Sequence, residues 1–155
     1  MFRNFRAVFF GTLGVASLLP LLGCGGGGNK SAPSLVYRLA EADSRALPAT
    51  IFDGMVPEEE RPVRYLIETT EGTLELLPDQ RYRHEVLCRR YREGRPDGRY
   101  RHYDYGRYST DGDRMSFVSE FVQNRAFQAT HSGTSIVGEQ DILGEGIRNR
   151  FTFRR

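Results

Sequence analysis

The 155-residue chain has no tryptophan, and of its 22 basic residues only Lys30 is a lysine. Two cysteines, Cys24 and Cys88, are too few for a disulfide-built scaffold. Its 17 glycines follow no three-residue period, which excludes a collagen-like chain. No repeat of constant spacing is visible, and the length fits one domain. The paired spacings that announce a zinc site, Cys-x-x-Cys or His-x-x-x-His, are missing, as are Gly-x-Ser-x-Gly, Ser-x-x-Lys and His-Glu-x-x-His. Gly144-Glu145-Gly146 has no helical pattern after it and is not a phosphate loop. Neither an enzyme nor a cofactor- or metal-dependent protein is therefore expected. The one long apolar run, Ala7–Leu22, is short of the roughly 20 residues that a membrane-spanning helix needs, and Gly11, Gly14 and Pro20 weaken it further.

What that run does resemble is an export signal. Arg3 and Arg6 precede it, and small Gly23 and Cys24 follow at once, giving the order positive, apolar, small. Leu21-Leu22-Gly23-Cys24 resembles the lipobox of bacterial lipoproteins. The resemblance implies a signal peptide over 1–23, cleavage before Cys24 and acylation of that cysteine. It also implies a cell-envelope location, on the outer membrane if the host has one, since Gly25 rather than Asp follows. One acyl chain holds a protein marginally, whereas two or three hold it firmly. Residues 24–33 are then the lipidated cysteine and a Gly-rich linker; as a flexible coil, Gly25–Pro33 spans roughly 15–18 Å. Removing Arg3 and Arg6 cancels the formal net charge of +2, so the basic balance is no argument for nucleic acid, and no nucleic-acid partner is expected.

The remaining residues, 34–155, carry the pattern of an antiparallel β domain. Short alternating runs predict strands at 35–40, 63–70, 73–77, 82–92, 99–109, 114–122, 126–130 and 151–154. Turns are expected at Glu71-Gly72, Pro78-Asp79, Arg95–Gly98, Asp111-Gly112 and His131–Gly133. Tyr82, His84, Val86 and Cys88 share one face; Leu74 and Leu76 share another, as do Met115 and Phe117. Glu41–Leu47 reads as one helical turn, and 119–129 as strand, break at Gln123-Asn124, strand. Turn signals every 8–12 residues mark a small sandwich or barrel, and closure removes exposed edges.

Tyr37-Arg38-Leu39, Ala46–Thr50, Glu71–Leu76, Gly106-Arg107-Tyr108, Met115-Ser116-Phe117 and the closing Phe151–Arg155 come in an order similar to that of small lipocalin-like β-barrel lipoproteins of bacteria. That resemblance implies an all-β, up-and-down barrel of about eight strands and names no activity. The Gly-x-Trp signature of true lipocalins is absent.

Residues 81–108 are the most unusual stretch. They hold nine arginines, four acids and six tyrosines. Arginine interleaved with tyrosine suits an anionic partner, and equally the solvent face of a two-stranded ribbon. Tyr82, Arg90, Tyr100, Arg101, Tyr103 and Tyr105 are the candidate ligand-binding residues. The expected function is non-enzymatic: a lipid-anchored envelope barrel contacting membrane lipid through its anchor, and an anionic envelope polymer or protein through this hairpin. The alternative is a carrier of a small apolar ligand inside the barrel. His84, His102 and His131 lack metal-ligand spacing, and Cys88 reads as a small core residue. Glu58–Glu60 between Pro57 and Pro62 reads as a solvated loop.

Overall fold

The computed structural model describes residues 32–123 and 125–155; the signal peptide, the acylated Cys24 and most of the linker expected from the sequence lie outside them. The described residues form ten strands and no helix. They are β1 (Leu35–Ala42), β2 (Arg45–Ala46), β3 (Ala49–Val56), β4 (Val63–Leu76), β5 (Arg81–Arg92), β6 (Arg95–Asp111), β7 (Arg114–Ser119), β8 (Ala126–Ser132), β9 (Ser135–Gln140) and β10 (Asn149–Arg154). From β4 to β10 each strand pairs antiparallel with the next, and β1 lies between β10 and β4. The registers Leu35↔Leu76 to Arg38↔Thr73 close the sheet into an eight-stranded barrel. Two strands are additional: β2 pairs with the end of β1, and β3 pairs with the first half of β4, on the edge that the second half gives to β1.

Alternation decides which side chains fill this barrel. Tyr82, His84, Val86 and Cys88 are buried along β5, Met115 and Phe117 along β7, and Leu74 and Leu76 on β4, as their spacing of two dictates. Tyr37, Phe151 and Phe153 join them. Phe117 and Phe127 stack with ring centroids 4.4 Å apart, and Tyr82 meets Phe117 edge-on at 5.2 Å. Such contacts contribute about 0.5–1.5 kcal/mol per pair beyond their buried area.

Several boundaries depart from the sequence reading. No turn occurs at Glu71-Gly72: β4 runs straight through with a bulge at Thr70. Gly72 serves close approach instead, because a Cβ there would sit 2.7 Å from the Glu85 carbonyl oxygen and 3.3 Å from Leu39 Cβ. The β5–β6 turn falls at Glu93-Gly94, not at Arg95–Gly98. Their φ values of 49° and 75° supply the two successive left-handed positions of a tight hairpin. Glu41–Leu47 is not helical. Asp43 and Ser44, both at positive φ, turn β1 into β2. The Asp43 carboxylate accepts from Asn149 Nδ2 at 2.9 Å and from the Arg150 N–H at 2.8 Å. β7 ends at Ser119 rather than at 122, where the Ser119 hydroxyl accepts from the N–H groups of Phe121 and Val122 at 3.1 and 2.8 Å. β3 and β9 had no counterpart in the sequence reading.

Candidate functional site

Side-chain parity splits the Arg/Tyr hairpin into two populations. Tyr82 and Tyr100 lie on the inner side, and Arg90 shares their parity but is exposed. Tyr82 is fully buried, and its hydroxyl donates to Asp104 Oδ2 at 2.9 Å. Burial first, and the neighbouring Asp104 carboxylate second, raise its phenol pKa. Tyr100 stands opposite Cys88 in register, and its buried hydroxyl finds no hydrogen-bond partner among the described residues. Burial also raises the Cys88 thiol, which remains a protonated core group. Arg90 pairs with Asp97 at 2.7 Å and covers the Tyr65 ring at 5.7 Å. Tyr65 in turn donates to Glu58 at 2.6 Å. Those contacts, with Arg92, draw Glu58 from a loop expected to be free and hold its carboxyl below the usual range.

Arg101, Tyr103 and Tyr105 lie on the outer face. Four outer arginines of β5 and β6 are matched by acids: Arg81 with Asp79 at 2.5 Å, Arg83 with Glu75 at 3.6 Å, Arg101 with Glu85 at 3.1 Å and Arg107 with Glu120 at 3.1 Å. Arg89 and Arg99 differ. They are opposite each other in register, and neither makes an ion pair among the described residues. With Arg101, Thr70 and Glu71 they line a hollow of ≈ 250 Å³. Like charges directly across a ladder are destabilising in the absence of a counter-charge.

Further along the same face, Tyr103, Tyr105 and Phe121 form an exposed aromatic cluster. Their centroids are 5.7–6.2 Å apart, and Phe121 is 58% exposed. Val118 is also exposed, and Arg107 is its partner in register. Alternation with Met115 and Phe117 predicts the outward Val118. No local signal marks Phe121, whose position depends on the loop that Ser119 caps.

The histidines divide as well. His84 and His102 meet edge-on at 5.5 Å inside the barrel, while His131 sits elsewhere, 3.3 Å from the Tyr37 hydroxyl and 2.9 Å from the Gly133 carbonyl. His84 is fully buried, and among the described residues neither of its ring nitrogens is hydrogen-bonded. Burial, then His102 and Arg125, lower its pKa to about 3. Burial and Arg125 lower His102 to about 4, against smaller opposing effects of Asp104, Asp141 and the Ile142 backbone. Asp104, beside them, accepts from Tyr82, from the Ser119 hydroxyl at 2.5 Å and from the Tyr105 N–H at 2.9 Å. Among the described residues no three His, Cys, Asp or Glu side chains come together to hold a metal. No protein-family model, curated protein or solved structure matches the chain.

Proposed function

We propose that this protein is a lipid-anchored component of the bacterial cell envelope, held by an acylated Cys24, that binds rather than catalyses. Its barrel docks on anionic, phosphate-bearing lipid head groups through the outer face of β5–β7. One observation carries the docking: Arg89 and Arg99 oppose each other and, among the described residues, neither makes an ion pair, not even Arg89 with its other register partner Glu68, beside an exposed Tyr103–Tyr105–Phe121 cluster. An anion relieves the repulsion, and tyrosine and phenylalanine suit the boundary between head groups and acyl chains. A tether spanning roughly 15–18 Å would keep this face within reach of the bilayer. The apolar-carrier reading has less support, because Tyr37, Tyr82, Phe117, Phe151 and Phe153 occupy the interior.

Two measurements test this. Intact-mass analysis of membrane-purified protein is expected to find a chain starting at an acylated Cys24; an unmodified, soluble 155-residue chain overturns the anchor. The lipidated protein is then placed in neutral and in anionic nanodiscs and footprinted with hydroxyl radicals. Labelling of Tyr103, Tyr105 and Phe121 is expected to fall severalfold in anionic discs only. It recovers at about 1 M salt, where screening acts within roughly 3 Å, and in the Arg89→Gln/Arg99→Gln double variant. Each arginine near an anionic surface contributes about 1 kcal/mol, so the pair changes occupancy about thirtyfold. Protection that appears only when polyphosphate is added to neutral discs replaces the lipid by a polymer. Protection in neither case removes the docking proposal.

A further inference from the structure

The closed barrel has a gap in its wall where β8 and β9 stop pairing. β8 and β9 pair only from Ala129↔Gly138 to Ser132↔Ser135. Beyond that, β8 stays with β7 as far as Ala126, and β9 stays with β10 as far as Gln140. The two strands therefore part company. Gly138 marks the last close approach: a Cβ there would stand 2.9 Å from the Gln128 carbonyl oxygen and 3.0 Å from Ala129 Cβ. The opening has a volume of ≈ 1320 Å³ and reaches the interior residues His102, Asp104, Phe127 and Gln140.

Its chemistry is uneven. Arg114, Arg125, Arg148 and Arg150 line it, and none makes an ion pair among the described residues. The acids that line it are Asp104, Glu139 and Asp141, and two of them are already engaged. Asp104 accepts from Tyr82, Ser119 and the Tyr105 N–H, and Asp141 accepts from the N–H groups of Gly144 and Gly146 at 2.7 Å each. In contact with Phe127 and His102 lies His84, fully buried, with both ring nitrogens unpartnered among the described residues. Buried polar groups are ordinarily satisfied, and one that is not calls for an explanation. Arginine pairs bidentately with carboxylate or phosphate, and Phe127, buried and stacked on Phe117, adds an apolar contact to the lining.

We propose that the cleft between β8 and β9 binds a small organic oxyanion, its carboxylate or phosphate held by Arg125 and Arg148 and its apolar body resting on Phe127 beside His102. This site is separate from the lipid-facing surface of β5–β7 and does not depend on it. The full chain, purified in dodecyl maltoside and ¹³C-labelled at histidine, provides the readout, since its three histidines report on two places. Phenyl phosphate and benzoate are titrated in parallel, with benzyl alcohol as the uncharged comparison. The expected result is a saturable shift of the His102 and His84 resonances by at least one of the two anions, while His131 stays fixed. Whichever anion is tighter identifies the head group. Arg125→Gln combined with Arg148→Gln is expected to weaken that binding at least tenfold, with the His131 signal certifying an intact fold. An unmoved His102 with both anions at millimolar concentration overturns the site. So does an equal response to benzyl alcohol, or an unchanged affinity in the double variant.

Discussion

The two halves of the barrel wall are built differently. Between β5 and β6 the ladder runs from Arg81↔Arg107 to Arg92↔Arg95, broken only by a bulge between Arg90↔Gly98 and Tyr91↔Pro96, and a tight Glu93-Gly94 turn closes it. Between β8 and β9 it covers only Ala129–Ser132 before the strands diverge. On the first wall the interior is sealed and chemistry is left to the outer face. On the second the interior itself is reached, at His102 and Asp104. Pairing length thus decides whether an inward-pointing polar residue is a core element or a surface one. Tyr82 and His102 share the inner side of neighbouring strands, yet only His102 lines the opening.

Two stacked rings straddle this divide and offer the largest test of it. Both are buried, Phe117 completely and Phe127 to 8% exposure, and of the two only Phe127 lines the cleft. Phe117→Ala is expected to cost about 3–5 kcal/mol, the range for removing an aromatic ring that the surroundings cannot replace. Phe127→Ala is expected to cost less, because the open side lets water and neighbouring chains occupy the space. Urea denaturation of both variants measures the difference, and equal losses would show that the cleft is closed in solution.

The histidine pair gives a smaller effect with a definite sign. An unfolded histidine titrates near 6.5, whereas His84 and His102 are lowered in the fold to about 3 and about 4. Above pH 6.5 both states are neutral and no stability is lost. Below it the unfolded chain takes up protons that the fold refuses, so stability falls with falling pH. Each histidine contributes about 1.4 kcal/mol per unit until its folded pKa is reached. His84→Phe is expected to remove one share of that slope between pH 6 and 4 and to leave stability at pH 7 nearly unchanged. A slope equal to that of the unmutated protein would place His84 in contact with solvent. It would then belong to the open wall.

Legibility in the sequence follows the same divide. The sealed wall was readable because its residues obey a strict period of two: Tyr82, His84, Val86 and Cys88 inward, Arg83 and Arg89 outward. That parity also separates Tyr82, Tyr100 and Arg90 from Arg101, Tyr103 and Tyr105, although all six share one Arg/Tyr-rich stretch. Composition grouped them, while alternation divides them. Gly72 was misread as a turn because glycine serves close backbone approach as readily as a positive φ, and sequence does not distinguish the two. The cleft was not legible at all. Ser135–Gln140 is too short and too mixed to register as a strand, and the parting of β8 from β9 comes where each follows its other neighbour, β7 or β10. Nothing local encodes it.

The smallest expected effect separates matched from unmatched arginines on the outer face of the sealed wall. Arg101 has Glu85 at 3.1 Å, so Arg101→Gln removes an exposed ion pair and is expected to lower stability by at most a few tenths of a kcal/mol. Arg89 faces Arg99 across the ladder, and Arg89→Gln removes a repulsion, so it is expected to raise stability by a similar amount. Thermal melts in low salt measure both, and both differences are expected to vanish at about 1 M salt, where the screening length is roughly 3 Å. Opposite signs at neighbouring positions would mean that Arg89 and Arg99 are held together at a cost to the free protein, as a surface awaiting an anion requires. Equal losses in the two variants would mean that Arg89 is already compensated, Glu68 being its other cross-strand neighbour. The outer face would then be solvated ribbon, and the open wall the only part of this barrel prepared for a charged ligand.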